Sequence, residues 1–352
     1  MDIADIPSDV LTRFRRGGVI PAHPLALDAD RRLDRVRQRA LTRYYLDAGA
    51  VGLAVGVHTT QFAIRTAALL HPVLRLAWET VDQWASPPTM MIAGAIGPTV
   101  QAVGEAVMAR DLGYHAVLLS LAGHDAASDD ELIDHIRAVA TVMPVMGFYL
   151  QPAVGGRVLS YAFWRRFAAL DNVVGIKIAP FNRYRTWDVV RAVADARAED
   201  RVTLYTGNDD HIVLDLLTPF QVQRPDGPVT LRMVGGLLGH WAVWTRAAVD
   251  LVAAIQRLDP TGALDVAWLT RDAQVTDANA AFFDAANGFQ GVIAGLHAVL
   301  QRQGLLDGLW CLDPNEQLGP GQAEEIGRVY RAYPGLNDDA FVAANLDRWL
   351  AD

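Results

Sequence analysis

Short apolar runs alternate along the chain with longer stretches in which apolar positions recur every three or four residues. The runs fall at 17–22, 52–56, 89–94, 115–120, 144–150, 173–178, 201–206 and 231–235. None has the strict polar alternation of a half-exposed strand. Each therefore reads as a strand covered on both faces, as in a parallel sheet. The stretches between them read as amphipathic helices. Asp28 or Asp30 is expected to cap the one over 31–48, and Ser128 the one that ends near 141. Residues 218–230, with Pro219, Pro225 and Pro228, read as an irregular insertion. A regular strand–helix rhythm of this length predicts a (β/α)8 TIM barrel over 1–260, entered through a short N-terminal helix. Residues 261–352 carry helical patterns and no strand signal, so they are expected to pack on the barrel as a C-terminal helical region. No GxGxxG follows the first strand, which argues against a dinucleotide-binding sheet.

Composition adds exclusions. The 51% hydrophobic content allows a substantial core, and the net charge of −9 argues against a nucleic-acid partner. Cys311 is the single cysteine, which excludes an internal disulfide framework and a Cys-rich metal site. The first residues, Met1-Asp2-Ile3-Ala4-Asp5, form no apolar signal core, and no run is long enough to span a bilayer. A cytoplasmic location without membrane attachment is expected.

One residue stands apart. Of 31 Lys and Arg side chains only Lys177 is a lysine, and it sits in the apolar run Val173-Val174-Gly175-Ile176-Lys177-Ile178. A guanidinium stays protonated in proteins, whereas a desolvated ammonium can lose its proton and attack a carbonyl. Lys177 is therefore the candidate for a Schiff base. Tyr149 ends the fifth run as Lys177 ends the sixth. Strict alternation along each strand puts Lys177 on one face with Gly175 and Val173, and Tyr149 with Gly147 and Val145. A phenol on that face could move protons for an imine.

Tyr149-Leu150-Gln151-Pro152 followed by Gly175-Ile176-Lys177 resembles the paired motifs of the dihydrodipicolinate synthase / N-acetylneuraminate lyase family, the Schiff-base aldolases and dehydratases of 2-oxo acids. The likeness extends over about 17–310 and includes the strand 52–56 and Gly207-Asn208-Asp209-Asp210. It implies a lyase that holds a pyruvate-type 2-oxo acid on Lys177, with no cofactor or metal, in a homo-oligomer, dimer or tetramer. It also implies that the loop after the second strand, Val57-His58-Thr59-Thr60-Gln61, takes the carboxylate, with Thr59 and Thr60 as the natural contacts. The chain departs from the family in three places. His58 and Gln61 replace a Gly-Glu ending. The Arg that follows the Tyr motif and binds a second carboxylate has only a displaced counterpart, Arg157. Leu121-Ala122-Gly123-His124 replaces the paired tyrosines after the fourth strand. Dihydrodipicolinate synthesis itself is therefore not expected, and another group must move protons. Candidates on the rim are His23, His58 and His240, with Gly235 and Asn208 as further substrate contacts; Asp209 either binds a substrate hydroxyl or caps the next helix. Two other readings stay open. One is a metal-dependent aldolase or hydrolase that uses His23, His58 and His240, although no HxH or HExxH pattern is present. The other is a non-catalytic barrel that binds a keto acid.

Overall fold

The structure, a computed structural model, describes residues 1–84, 86–259 and 262–351. Eight parallel strands form the barrel: β1 (Val19–Pro21), β2 (Gly52–Val55), β3 (Met90–Ala95), β4 (Ala116–Leu119), β5 (Val145–Leu150), β6 (Val173–Ala179), β7 (Thr203–Thr206) and β10 (Met233–Leu238). The ladder runs β1-β10-β7-β6-β5-β4-β3-β2. It is closed between β1 and β2 by Val51 N donating to Val19 O (2.9 Å) and His23 N donating to Ala54 O (2.8 Å). The fold is a (β/α)8 barrel with added C-terminal helices, as the strand–helix rhythm predicts.

Two separate apolar layers result. Ile20, Ala54, Ile92, Leu118, Met146 and Leu237 fill the barrel interior. The larger layer lies between strands and helices and contains Leu53, Val145, Ile176, Ile178 and Leu204. Helix Ser8–Arg16 plugs the N-terminal end of the barrel. Its Phe14 stacks on Tyr205 at 4.9 Å, and the Tyr205 hydroxyl donates to Phe14 O at 2.6 Å. With that end closed, the C-terminal ends of the strands are the open face, where barrels of this type carry their chemistry.

Two local expectations need correction. The segment 218–230 is an ordered hairpin, β8 (Phe220–Arg224) paired antiparallel with β9 (Gly227–Leu231). Phe220 and Val222 are buried while Gln221 and Gln223 are exposed, and Phe220 meets Trp187 edge-on at 5.4 Å. The helix Arg35–Ala48 is capped by Asp34, whose carboxylate accepts from Arg37 N at 3.0 Å. The Asp28 carboxylate instead folds its own turn, accepting from Asp30 N and Arg32 N. Ser128 caps its helix as expected, in a capping box with Glu131.

After the barrel come helices Ala267–Phe282, Val292–Arg302, Gln322–Ala332 and Asp339–Leu350. The first lies on helix Ile212–Leu217 and the last on helix Arg35–Ala48. The expected division between 260 and 261 lies outside the described residues. No helix among the described residues is long and apolar enough to cross a membrane.

Candidate active site

The site is set by a slip of one residue in β6. Val145 pairs with Val173, but the next residue, Met146, pairs with Gly175, so Val174 is an extra residue in the ladder. A bulge of this kind reverses which face the following side chains take. Beyond it, Phe148 is the neighbour of Lys177, and Tyr149 the neighbour of Ile178. Lys177 therefore points into the barrel with Gly175 and Ala179. Val173 and Tyr149 point out into the helix layer.

This corrects the expected catalytic pair. Tyr149 is fully buried against Trp164, with ring centroids 5.2 Å apart. Its hydroxyl donates to Leu159 O (3.1 Å) and accepts from Leu159 N (3.3 Å) and Arg185 (3.4 Å). Gly147 makes no room for a ligand: a Cβ there would meet the Phe167 ring at 2.6 Å in the helix layer. Phe148 takes the place beside the lysine, with the Lys177 Nζ 4.3 Å from its ring centroid. Tyr149→Phe is thus expected to cost ~1–2 kcal/mol of stability, because a buried Leu159 N–H loses its acceptor. Turnover should change less than threefold. Chemical denaturation and a kcat measurement check both parts, and a large loss of kcat at unchanged stability would restore a catalytic role to the phenol.

Lys177 lies in a cavity at the open face. Among the described residues it makes no hydrogen bond and no ion pair. Its stem needs Gly207: a Cβ there would stand 2.7 Å from Lys177 Cε and 2.8 Å from Ala179 Cβ. Gly207→Ala should push the Lys177 stem aside, at some cost in stability from the Ala179 contact, and slow borohydride trapping at Lys177 by ~10–100-fold, the scale expected for displacing a reacting atom by about 1 Å. Trapping within twofold of wild type would show that the amine does not depend on this gap.

Burial pushes the Lys177 ammonium down to about 8, opposed by the charge of Asp209. Burial likewise pushes the Asp209 carboxyl up to about 7, opposed by Lys177 and by the N–H of His240. The Asp209 Oδ1 accepts from His240 N at 3.3 Å, so the carboxylate is held in the cavity and does not cap the helix Ile212–Leu217 that follows it. His58 lines the same cavity. Burial, and then the nearby Lys177 charge, hold its imidazolium down to about 4, so it is neutral at pH 7. Its ring has no hydrogen-bond partner among the described residues. The same is true of the buried side-chain amide of Gln151, a lining residue that the strand pattern did not single out. Lys177, Asp209, His58 and Gln151 thus face one space, with Thr59 at its wall.

The other expected contacts are bonded within the protein or packed on its backbone. The Thr59 hydroxyl donates to Ala22 O at 2.7 Å, although the residue still lines the cavity. The Thr60 hydroxyl is fully used inside its loop, donating to His23 O and accepting from Gly56 N and Val57 N. Gln61 turns away, and its Oε1 accepts from Leu312 N at 2.6 Å. His23 is buried beside Tyr45 and is bonded to Pro24 O and Thr42. Asn208 ties two loops together, accepting from Phe181 N and donating to Thr186 and Asp215. Gly235 packs on backbone, since a Cβ there would stand 2.1 Å from Gly18 O. The His240 ring pairs with Asn279 outside the cavity. Arg157 donates to the carbonyls of His124 and Ala127, bracing the loop after β4. His23, His58 and His240 do not converge, and among the described residues no three His, Cys, Asp or Glu side chains are grouped to hold a metal ion.

The comparisons agree with this architecture. The model of the dihydrodipicolinate synthetase family matches residues 15–219. A 4-hydroxy-tetrahydrodipicolinate synthase from Desulforudis audaxviator is 27% identical over 203 residues, covering 57% of this chain and 66% of that protein. The chain thus matches just under two thirds of that relative. Among solved structures, YagE, a prophage protein of the dihydrodipicolinic acid synthase family from E. coli K12 in complex with pyruvate, superposes with a TM-score of 0.73 at 19% identity, over 89% of this chain and 97% of that one. Dihydrodipicolinate synthase from Oceanobacillus iheyensis gives 0.71 at 17% identity, over 93% and 99%. Since the family model covers more than half of its residues, the chain belongs to the dihydrodipicolinate synthetase family.

Proposed function

We propose that the protein is a Schiff-base lyase for a pyruvate-type 2-oxo acid, with Lys177 as nucleophile and Asp209 as acid–base. One observation carries this reading. The sole lysine of the chain faces the barrel cavity with no hydrogen bond or ion pair among the described residues, and burial brings part of it to the free amine near neutral pH. Family membership and the pyruvate complex of YagE support the substrate class.

The Lys177 amine adds to the C2 carbonyl, and the carbinolamine loses water to give an iminium. The carboxylate lies against His58 and Thr59, where the neutral imidazole can donate a hydrogen bond. In aldol cleavage of a 4-hydroxy-2-oxo acid, the Asp209 carboxylate takes the C4 hydroxyl proton. The C3–C4 bond breaks, an aldehyde leaves, and the bonding electrons pass into the iminium to form an enamine. A proton returns to C3, and water at C2 releases the 2-oxo acid and the free amine. The same iminium acidifies C3–H, so dehydration is the alternative outcome, and product analysis separates the two. Gln151 is positioned to bond a substrate oxygen. A cytoplasmic homo-oligomer, dimer or tetramer, is the expected state, by analogy with the family; light scattering on the purified protein tests the assembly.

Borohydride reduction with pyruvate, read by intact mass and peptide mapping, tests the reading. The expected result is one pyruvate-sized adduct on the peptide that carries Lys177. No adduct with pyruvate or with any larger 2-oxo acid would overturn it.

A further inference from the structure

The cavity around Lys177 is lined by apolar as well as polar side chains, and three of the apolar ones are phenylalanines. Phe181 follows β6, and Phe283 and Phe289 follow helix Ala267–Phe282. The Phe181 and Phe289 rings meet edge to face, with centroids 6.1 Å apart and planes at 81°. Phe283 closes against Gly239 and Thr59: a Cβ on Gly239 would stand 2.9 Å from its ring. Leu150, Val154 and Val292 fill the gaps. Lys177 and Asp209 are the only lysine, arginine or acidic side chains among the lining residues.

The cations near the rim are engaged elsewhere. Arg157 braces the β4 loop, Arg183 pairs with the buried Asp215, and Arg185 reaches the Tyr149 hydroxyl. A second carboxylate or phosphate would find no lysine or arginine among the lining residues other than Lys177 itself.

The aromatic wall is built in. Phe181 and Phe289 both sit in the left-handed region, at φ +48° and +68°, where bulky side chains are strained. Each is anchored. Phe181 N donates to Asn208, and Phe289 N to Asp284 O. Asp284 is buried and also accepts from Gly291 N and Asn287 through its carboxylate. Phe283 and Phe289 lie beyond the residues that the family model matches, 15–219.

We infer that the substrate carries an uncharged apolar group, aryl or branched alkyl, beyond its 2-oxo acid end, packed against the wall that Phe181, Phe283 and Phe289 form. This rests on the Schiff-base reading for the acid end only, and the two are tested apart. Calorimetry on the full-length protein uses three acids that lack the oxo group: 4-phenylbutanoate, glutarate and gluconate. The expected result is 4-phenylbutanoate binding ~10–200-fold more tightly than either of the others, the range for apolar contact in a closed pocket. Phe289→Ala should lose most of that preference, and Phe181→Ala provides the same test if the first variant does not fold. Equal or tighter binding of glutarate or gluconate would overturn the inference. A protein that traps pyruvate on Lys177 but prefers gluconate keeps the imine chemistry and loses the apolar seat. One that prefers 4-phenylbutanoate but traps no oxo acid keeps the seat and loses the imine.

Discussion

Lys177→Met is expected to abolish the pyruvate adduct and to lower turnover by ~10⁴-fold or more, the scale seen when a covalent nucleophile is removed. Lys177→Arg does the same, because a guanidinium does not give up its proton. The methionine variant should also be more stable than wild type at pH 7. In wild type, burial pushes the Lys177 ammonium from its ordinary 10.5 down to about 8 in the barrel. Between those values the folded protein binds fewer protons than the unfolded chain, so wild-type stability rises with pH across that window. Below it, the whole cost of enclosing the charge is present, ~3 kcal/mol at most. Thermal melts at pH 7 and pH 10 should show the variant ahead at the lower pH and the gap narrowing at the higher. A variant less stable than wild type at pH 7 would mean that the ammonium is well solvated in the cavity.

Asp209→Asn should separate the two halves of the reaction. The Asp209 charge raises the Lys177 pKa, so removing it lowers that pKa further and increases the free amine at neutral pH. Borohydride trapping with pyruvate at pH 7 should become faster. Cleavage of a 4-hydroxy-2-oxo acid should fall ~10²–10⁴-fold, the usual effect of losing a general base. In wild type the Asp209 carboxyl is pushed up to about 7, so cleavage should rise with pH through that region. The variant should lose that limb. The measurements are trapping rate and kcat/KM, each against pH. Unchanged cleavage would exclude Asp209 from proton transfer and leave His58 as the base.

The barrel was legible because its signal repeats. Eight apolar strands, each buried on both faces, leave the same mark eight times, and errors of a residue or two at their ends do no harm. The lysine was legible by its rarity. The phase between β5 and β6 was not. A mid-strand glycine such as Gly175 can mark a bulge, but strict alternation passed over it, and Val174, the extra residue, looks like any other valine in a strand. The spacing of Tyr149 and Lys177 therefore implied a shared face that the ladder does not give them. Thr59, Thr60, His23 and Asn208 illustrate a second limit. A polar residue on a rim loop binds either ligand or the protein itself, and in this chain His23 O takes the Thr60 hydroxyl, Pro24 O and Thr42 the His23 ring, and Phe181 N, Thr186 and Asp215 the Asn208 amide. Gln151 and Asp209 were in plain view, but their importance comes from facing the same space as Lys177. The hairpin at 220–231 had a readable pattern, with Phe220 and Val222 alternating with Gln221 and Gln223, which the surrounding prolines obscured.

Phe283, Phe289 and Val292 wall the cavity, yet they are synthesised after the last barrel strand. On the ribosome, the eight strands can emerge and close while the segment that roofs them is still in the exit tunnel. In that interval the amine stands in an unroofed barrel, open to water and to any metabolite with a carbonyl. On the proposed reading, selectivity is then the last property the nascent chain acquires, and a chain that stalls or is clipped before the roof arrives would be a barrel with its proposed nucleophile in place and little to choose its partner.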